Sequence, residues 1–138
     1  DGKAIGSMCG ADYSLTVYQP KDFDPANPVY KVKVWDKGGN VTERMVDVSK
    51  VDTAGSDYID MFAYSSHLSA SGKCPGAQSA FIRAGANQHG ADNRTHDDLF
   101  GMNDWISVLK DAMQTQYDAG NLKGYLDYKQ FWDFLDNK

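Results

Sequence analysis

The sequence lacks any long hydrophobic run. No stretch approaches the roughly 18 consecutive apolar residues that mark a membrane-spanning helix. Hydrophobic residues still make up 41% of the 138 residues, which is close to ordinary globular usage. We therefore expect no membrane insertion, and we expect a chain that buries one hydrophobic core.

Cysteine is scarce, since the chain contains only Cys9 and Cys74. Their separation of 65 positions excludes a CxxC redox or zinc pair. We interpret them as two free thiols. The alternative is one disulfide that ties the N-terminal arm to the middle of the chain, which would indicate an oxidising compartment.

Positive charge is in the minority, because 14 Lys and Arg residues face 19 Asp and Glu residues and give a formal net charge of -5. The two signs are interspersed along the chain. Binding to nucleic acid or to anionic lipid needs a basic stripe, so neither partner is expected. Mild acidity of this kind favours solubility.

The short motifs of common active sites are missing too. The chain contains no HExxH zinc motif, no GxSxG nucleophile motif, and no P-loop or GxGxxG phosphate-binding loop. No catalytic residue is therefore predicted, and no cofactor is predicted either. These absences favour a non-enzymatic role.

What the sequence does contain is a β-hairpin pattern. Residues 29–36 alternate between two faces over a full strand length. One face holds Tyr30, Val32 and Val34, and the other holds Lys31, Lys33 and Trp35. The tetrapeptide Lys-Gly-Gly-Asn at 37–40 can supply the positive φ of a tight turn, and 41–48 return as the second strand.

The remaining elements complete an α+β fold. A further strand is predicted over 13–18, with helices over 57–69, 104–119 and 122–135 and a short helix inside 76–86. We expect a small antiparallel sheet, the hairpin plus one strand, packed against three to four helices including a C-terminal helical hairpin. Residues 1–12 are predicted to be a flexible N-terminal arm, and 13–138 a single domain.

A cluster of histidines and carboxylates lies in 86–103, the longest stretch without periodicity. Its members are His89, Asp92, His96, Asp97 and Asp98. Imidazole and carboxylate ligands suit zinc or non-haem iron, so a metal site is one hypothesis. The spacing fits neither a zinc motif nor an EF-hand, and the alternative is a solvated polar loop.

Trp35 is the candidate anchor for a ligand or a partner, because strand alternation places it on the lysine face. Exposed tryptophan and tyrosine side chains are good anchors for proteins and sugars. Trp35 and Tyr30 are therefore the predicted binding residues. The alternative is that a helix or the N-terminal arm covers Trp35.

Four segments carry a resemblance to a group of bacterial proteins. They are PVYKVKVWDKGGNVTERMVDV at 28–48, SLTVYQPKD at 14–22, DMFAY at 60–64 and LKGYLDYKQF at 122–131. In these segments the chain resembles uncharacterised proteins of gut Clostridia, which contain a domain of unknown function. The resemblance implies a bacterial source, one intact domain and an association with flagellar or surface genes, and it carries no known activity.

These observations together predict a non-enzymatic protein-interaction module of a bacterial surface or flagellum-associated protein. The first alternative is a small metal-dependent hydrolase that uses the 86–103 loop. The second is a carbohydrate-binding module that uses Trp35 and neighbouring tyrosines.

Overall fold

A computed structural model describes residues 2–89 and 93–138 of the chain. Within these ranges four strands come first and four helices follow. The strands are β1 (Lys3–Cys9), β2 (Tyr13–Gln19), β3 (Val29–Asp36) and β4 (Val41–Asp47). The helices are α1 (Tyr58–Ala70), α2 (Ala77–His89), α3 (Trp105–Asp118) and α4 (Leu122–Asp136). The predicted α+β fold with a C-terminal helix pair is confirmed.

The predicted hairpin forms from β3 and β4. Their register pairs Trp35 with Val41 next to the turn. Gly39 reverses the chain with a φ of 84°, a conformation that residues with a side chain rarely adopt. Asp36 closes the turn, because its carboxylate accepts a hydrogen bond from the Asn40 amide at 2.9 Å.

The prediction of a flexible N-terminal arm is corrected by the structure, because Lys3–Cys9 form an edge strand. β1 pairs antiparallel with β2, so the described part of the sheet has four strands in the order β1-β2-β3-β4. Gly6 made this segment look unstructured. It is needed there, since a Cβ at Gly6 would overlap the side chains of Ser66 on α1 and Gln78 on α2. The glycine lets both helices approach the strand closely.

One face of the sheet, which we call the inner face, packs against α1. Its buried side chains alternate along the strands and are Leu15, Val17, Tyr30, Val32, Val34 and Val46. α1 is itself buried over ten of its thirteen residues, which is typical of a helix at the centre of a core. It lies between the sheet and α2, and α2 in turn contacts α3 and α4.

Aromatic side chains join α1 to the other helices. The ring centre of Phe81 lies 4.7 Å from that of Tyr58 and 5.0 Å from that of Trp105. The rings are tilted or edge-to-face, which their quadrupoles favour. Trp105 also satisfies its buried indole nitrogen, which donates to the Ser56 carbonyl at 2.8 Å.

The end of α4 returns to the segment between β4 and α1. The Thr53 hydroxyl donates to the Leu135 carbonyl at 3.0 Å, and the Lys138 ammonium donates to the Ser49 carbonyl at 2.9 Å. Leu135 is buried, so this contact closes the core on the side of α4.

Three helices begin within one residue of their predicted starts. Asp57 caps α1, Asp104 caps α3 and Asn121 caps α4, each by accepting a hydrogen bond from a backbone amide of the first turn. Within the described ranges, no helix has the length and apolar character needed to cross a bilayer.

The prediction of one irregular stretch over 86–103 is wrong at 86–89 and at 97–100. α2 continues through His89, and Asp97–Phe100 form a turn of 3-10 helix. Gly76 and Gly85 lower the apparent helix propensity of this region, which is why the sequence predicts only a short helix there. Packing outweighs propensity, since α2 buries a continuous stripe made of Ala77, Ala80, Phe81 and Ala84.

Cys9 and Cys74 are both free thiols, as interpreted from the sequence. Cys9 is exposed on β1, whereas Cys74 is buried in the connection between α1 and α2. Burial raises the pKa of the Cys74 thiol, so this side chain stays protonated and inert near neutral pH.

Candidate functional site

The face of the sheet that points away from α1 is the first candidate surface, and we call it the outer face. Strand register gives its principal members, which are Tyr18, Lys31, Lys33, Trp35, Val41, Glu43 and Met45. These side chains are exposed or half-buried, whereas the inner-face side chains of β2 and β3 are buried.

Apolar side chains stand at both ends of the outer face. Trp35 lies opposite Val41 near the turn, and Met45 lies opposite Lys31 at the other end. Val41 is 48% exposed and Met45 is 55% exposed, while Trp35 is half-buried. Trp35 is therefore partly accessible, with the exposed Val41 beside it and the exposed Met45 at the other end of the face.

Charged side chains occupy the middle of the outer face. The Glu43 carboxylate lies 3.5 Å from the Lys33 ammonium and 3.9 Å from the Lys31 ammonium. The Lys33 ammonium also lies 5.7 Å from the centre of the Tyr18 ring, within the range of a cation–π contact. Half-exposed ion pairs of this kind contribute little to stability, typically about 0.2–1 kcal/mol. These contacts hold the Lys31, Lys33 and Glu43 side chains close to one another on the outer face.

Tyr30 lies on the opposite side of the sheet from Trp35. Its ring is 2% exposed, and its hydroxyl forms a hydrogen bond of 2.7 Å with Nδ1 of His67 on α1. Burial raises the pKa of the Tyr30 hydroxyl and lowers the pKa of the His67 imidazole. Tyr30 thus offers no surface for a partner or a sugar, and Tyr18 is the tyrosine that shares the face of Trp35.

The predicted metal ligands are only partly placed by the structure. Nδ1 of His96 lies 3.2 Å from a carboxylate oxygen of Asp97, whose side chain is 98% exposed. The side chain of His89 and the whole of Asp92 lie outside the described residues. Among the described residues, no group of three His, Cys, Asp or Glu side chains is arranged to hold a metal ion. The metal site remains a prediction.

Arg94 is a residue that sequence reasoning missed. It is 7% exposed, and its guanidinium lies 4.2 Å from the centre of the Tyr58 ring. Nη2 donates to the Gly85 carbonyl at 3.0 Å. The sequence carries no signal for this burial, because the flanking residues are polar and the contacts come from α1 and α2.

Arg94 forms no ion pair with a carboxylate among the described residues. Nη1 is shielded from solvent and has no hydrogen-bond partner there, while Nη2 makes a second, longer bond of 3.4 Å to the Gln88 side chain. Burial lowers the pKa of Arg94, and the opposing effects of Tyr58, Tyr13 and Asp98 are smaller. The guanidinium is therefore desolvated without the carboxylate that usually accompanies a buried arginine.

A cavity of about 180 Å³ lies beside Arg94. Its walls include Met8, Cys9, Tyr13, Tyr58, Ile82 and Ala86. The Tyr58 hydroxyl donates to the Met8 sulfur at 3.0 Å, and a thioether is a weak acceptor. The cavity thus combines a cation, a hydroxyl with a weak partner, and apolar walls.

Arg44 shows the opposite arrangement at the start of α1. Its Nη1 donates to both carboxylate oxygens of Asp57, at 2.9 and 2.7 Å, and to Asp60 at 3.0 Å. Burial alone would lower the pKa of Arg44, but the hydrogen bonds and charges of the two aspartates raise it. Asp57 also caps α1, because it accepts a hydrogen bond from the Asp60 amide. This ion pair is structural.

Comparison with known proteins assigns the chain to no family. No protein-family profile, no curated protein and no solved structure matches the chain. The resemblance to proteins of gut Clostridia therefore stays an expectation, and the functional argument depends on the side chains described above.

Proposed function

We propose that the chain is a non-enzymatic module that binds a partner protein through the outer face, with Trp35 as the anchor. The observation that carries this proposal is the position of Trp35 beside the exposed Val41, on a sheet whose other face is already filled by α1. Tryptophan is enriched among the residues that dominate binding energy in protein interfaces.

The exposed apolar side chains of the outer face support a protein partner. Val41 and Met45 are about half exposed, and both belong to the edge strand β4. Val41 lies beside Trp35, whereas Met45 lies at the other end of the face, beyond Lys33 and Glu43. Tryptophan and methionine are both enriched in protein interfaces.

The setting of the module comes from the resemblance of 28–48 and its flanking segments. In this proposal the module belongs to a bacterial surface or flagellum-associated protein, and its partner protein belongs to the same cell-surface or flagellar structure. A partner of another compartment, captured by the tests below, would contradict this part of the proposal.

Site-directed photo-cross-linking tests the docking surface. A photoreactive amino acid is placed at Val41, at Met45 or at Met102, which is 69% exposed and lies outside the outer face. We expect the first two positions to cross-link the same protein in living cells and Met102 to give no such product. Equal products from all three positions would contradict the outer face as the docking surface.

Titration of that partner then measures the anchor. We expect Trp35→Ala to raise the dissociation constant about 30-fold, as for a hot-spot residue, and Met102→Ala to leave it unchanged. The pair Val41→Ser and Met45→Ser provides a second test that leaves the Trp35 ring in place. Wild-type affinity in both Trp35→Ala and the Val41→Ser, Met45→Ser double variant would contradict the proposal.

Sugar binding is a second candidate, favoured by the presence of Tyr18 and Trp35 on one face. Aromatic rings present flat apolar surfaces on which sugar rings pack. Tryptophan fluorescence during titration with a panel of soluble glycans tests this function. A saturable change that disappears in Tyr18→Ala would support it, and silence across the panel would contradict it.

A further inference from the structure

We infer that the cavity beside Arg94 is a binding site for a small organic carboxylate. The site is independent of the protein contact proposed above, because it shares no residue with the principal members of the outer face. Nothing in the proposed docking function requires a cavity at this place.

The first argument is the missing counter-charge. A guanidinium withdrawn from water loses its hydration, and a carbonyl, an amide and an aromatic ring replace that hydration only in part. Nη1 of Arg94 has no hydrogen-bond partner among the described residues. A carboxylate in the cavity, which Arg94 lines, would supply the opposite charge.

The second argument is the nature of the walls. Met8, Ile82 and Ala86 line the cavity with apolar groups. A purely inorganic anion would leave those groups without contacts, whereas the hydrocarbon part of an organic acid would pack against them. The mixture of one cation and several apolar walls therefore favours a carboxylate with a short tail.

The third argument is the space that two glycines keep open. A Cβ at Gly85 would lie 3.1 Å from Nη2 of Arg94 and 3.1 Å from Cε2 of Tyr58. A Cβ at Gly10 would overlap the Tyr13 ring. Glycine weakens a helix. Its presence at Gly85, inside α2, therefore indicates that this position must leave room for the Arg94 guanidinium and the Tyr58 ring to approach the helix.

A second donor faces the same cavity. The Tyr58 hydroxyl donates only to the Met8 sulfur, and a carboxylate oxygen is a much stronger acceptor. Burial raises the pKa of Tyr58, so the hydroxyl keeps its proton at neutral pH and remains a donor. Arg94 and Tyr58 both line the cavity, so a carboxylate there would lie near a cation and a hydroxyl donor.

Volume limits the size of the ligand. The cavity measures about 180 Å³, which corresponds to about six molecules of liquid water at roughly 30 Å³ each. Butanoate is therefore a suitable probe, and butyramide is its neutral counterpart of the same shape.

Calorimetric and thermal-melt titrations with these two probes, at constant ionic strength set with chloride, test the site. We expect butanoate to bind the wild-type chain with a dissociation constant on the order of 1 mM and to raise its Tm in a saturable way. Butyramide should bind at least tenfold more weakly, because it lacks the charge.

A matched pair of arginine variants tests whether butanoate binding depends on Arg94. We expect Arg94→Met to weaken butanoate binding at least tenfold. Arg83→Met removes the same charge from an exposed position on α2, where the guanidinium lies 5.4 Å from the Tyr128 ring, and should bind as the wild type does. Gly85→Ala should weaken binding as well, because its Cβ presses on the guanidinium.

Methyl NMR spectra of the wild-type chain give a measurement that needs no variant. The methyl groups of Met8 and Ile82 should shift during the butanoate titration with the same dissociation constant, while that of Met102 should not. Unshifted Met8 and Ile82 signals at saturating butanoate would overturn the inference even if a variant failed to fold.

Four further outcomes would overturn the assignment. They are equal binding of butanoate and butyramide, undiminished binding in Arg94→Met, stabilisation by inorganic phosphate without any by butanoate, and a tenfold gain of affinity in Asp92→Asn. The last would show that a carboxylate of the chain itself already compensates Arg94.

Discussion

Arg44 and Arg94 are both withdrawn from water, yet the protein compensates their charges in opposite ways. Arg44 keeps 34% of its side chain exposed and is held by the carboxylates of Asp57 and Asp60. Arg94 is only 7% exposed and contacts an aromatic ring, a carbonyl and an amide. The more deeply buried cation is thus the one without an acidic partner among the described residues.

This difference separates a charge used for stability from a charge kept for binding. The Arg44 pair fastens β4 to the first turn of α1, where Asp57 also serves as the helix cap. The contacts of Arg94 position its guanidinium beside a cavity without neutralising it. Substitutions at the two sites should therefore differ in both size and kind of effect.

The largest loss of stability is expected for Asp57→Ala. The change removes a helix cap and leaves Arg44 with one acceptor, so the free energy of unfolding should fall by about 2–3 kcal/mol. Urea denaturation followed by circular dichroism measures this. Asp60→Ala removes a single, half-exposed contact and should cost about 1 kcal/mol or less. Equal losses from the two substitutions would contradict the structural role assigned to Asp57.

Arg94→Met should change stability far less than Asp57→Ala. In a buffer without carboxylates we expect the free energy of unfolding to change by less than about 1 kcal/mol, because losing the hydrogen bond and the ring contact is offset by removing a desolvated charge. The same urea titration measures it. A loss as large as that of Asp57→Ala would mean that Arg94 is a structural residue like Arg44, and the comparison would fail.

His67 shows a third way to bury a basic side chain, which is to keep it neutral. Burial and the charge of Lys73 lower its folded-state pKa. The unfolded chain therefore binds a proton near pH 6.5 that the folded chain does not, and stability falls as the pH drops through that value. Urea midpoints measured from pH 7.5 to pH 5 should show this decline, with a smaller effect than Asp57→Ala.

His67→Gln should flatten that pH dependence, because its side chain does not titrate. His96→Gln makes the same substitution at a half-exposed ring that lies against Phe100, and its slope is measured for comparison. A slope that survives in His67→Gln would assign the pH dependence to another group.

Periodicity in the sequence predicts the elements that depend on local pattern. The alternation of 29–36 fixes which side chains of β3 face α1, and the helical spacing of 104–119 and 122–135 locates α3 and α4. β1 and the full length of α2 escape prediction, because Gly6 and Gly85 have low propensity. Both glycines lie close to side chains that are distant in sequence. Gly6 lies against side chains of α1 and α2, and Gly85 lies against Tyr58 and Arg94.

The candidate site residues show the same limit, which is that local sequence patterns do not predict contacts between distant elements. Trp35 is placed by its own strand, so alternation predicts its face correctly. Tyr30 lies five positions earlier, on the other face of the same strand, and faces α1, which the same alternation also indicated. Arg94 stands in a polar run, and its burial depends on contacts with α1 and α2 that no local pattern encodes.

The hydrogen bond between Thr53 and Leu135 has a consequence for synthesis in the cell, because it joins positions 82 residues apart. The strands pair with their neighbours in sequence and can meet as soon as they leave the ribosome. α4 is made after the other described elements, and until it docks Phe81 lacks its contact with the Phe131 ring. A growing chain therefore exposes this side of the aromatic cluster until α4 has left the ribosome.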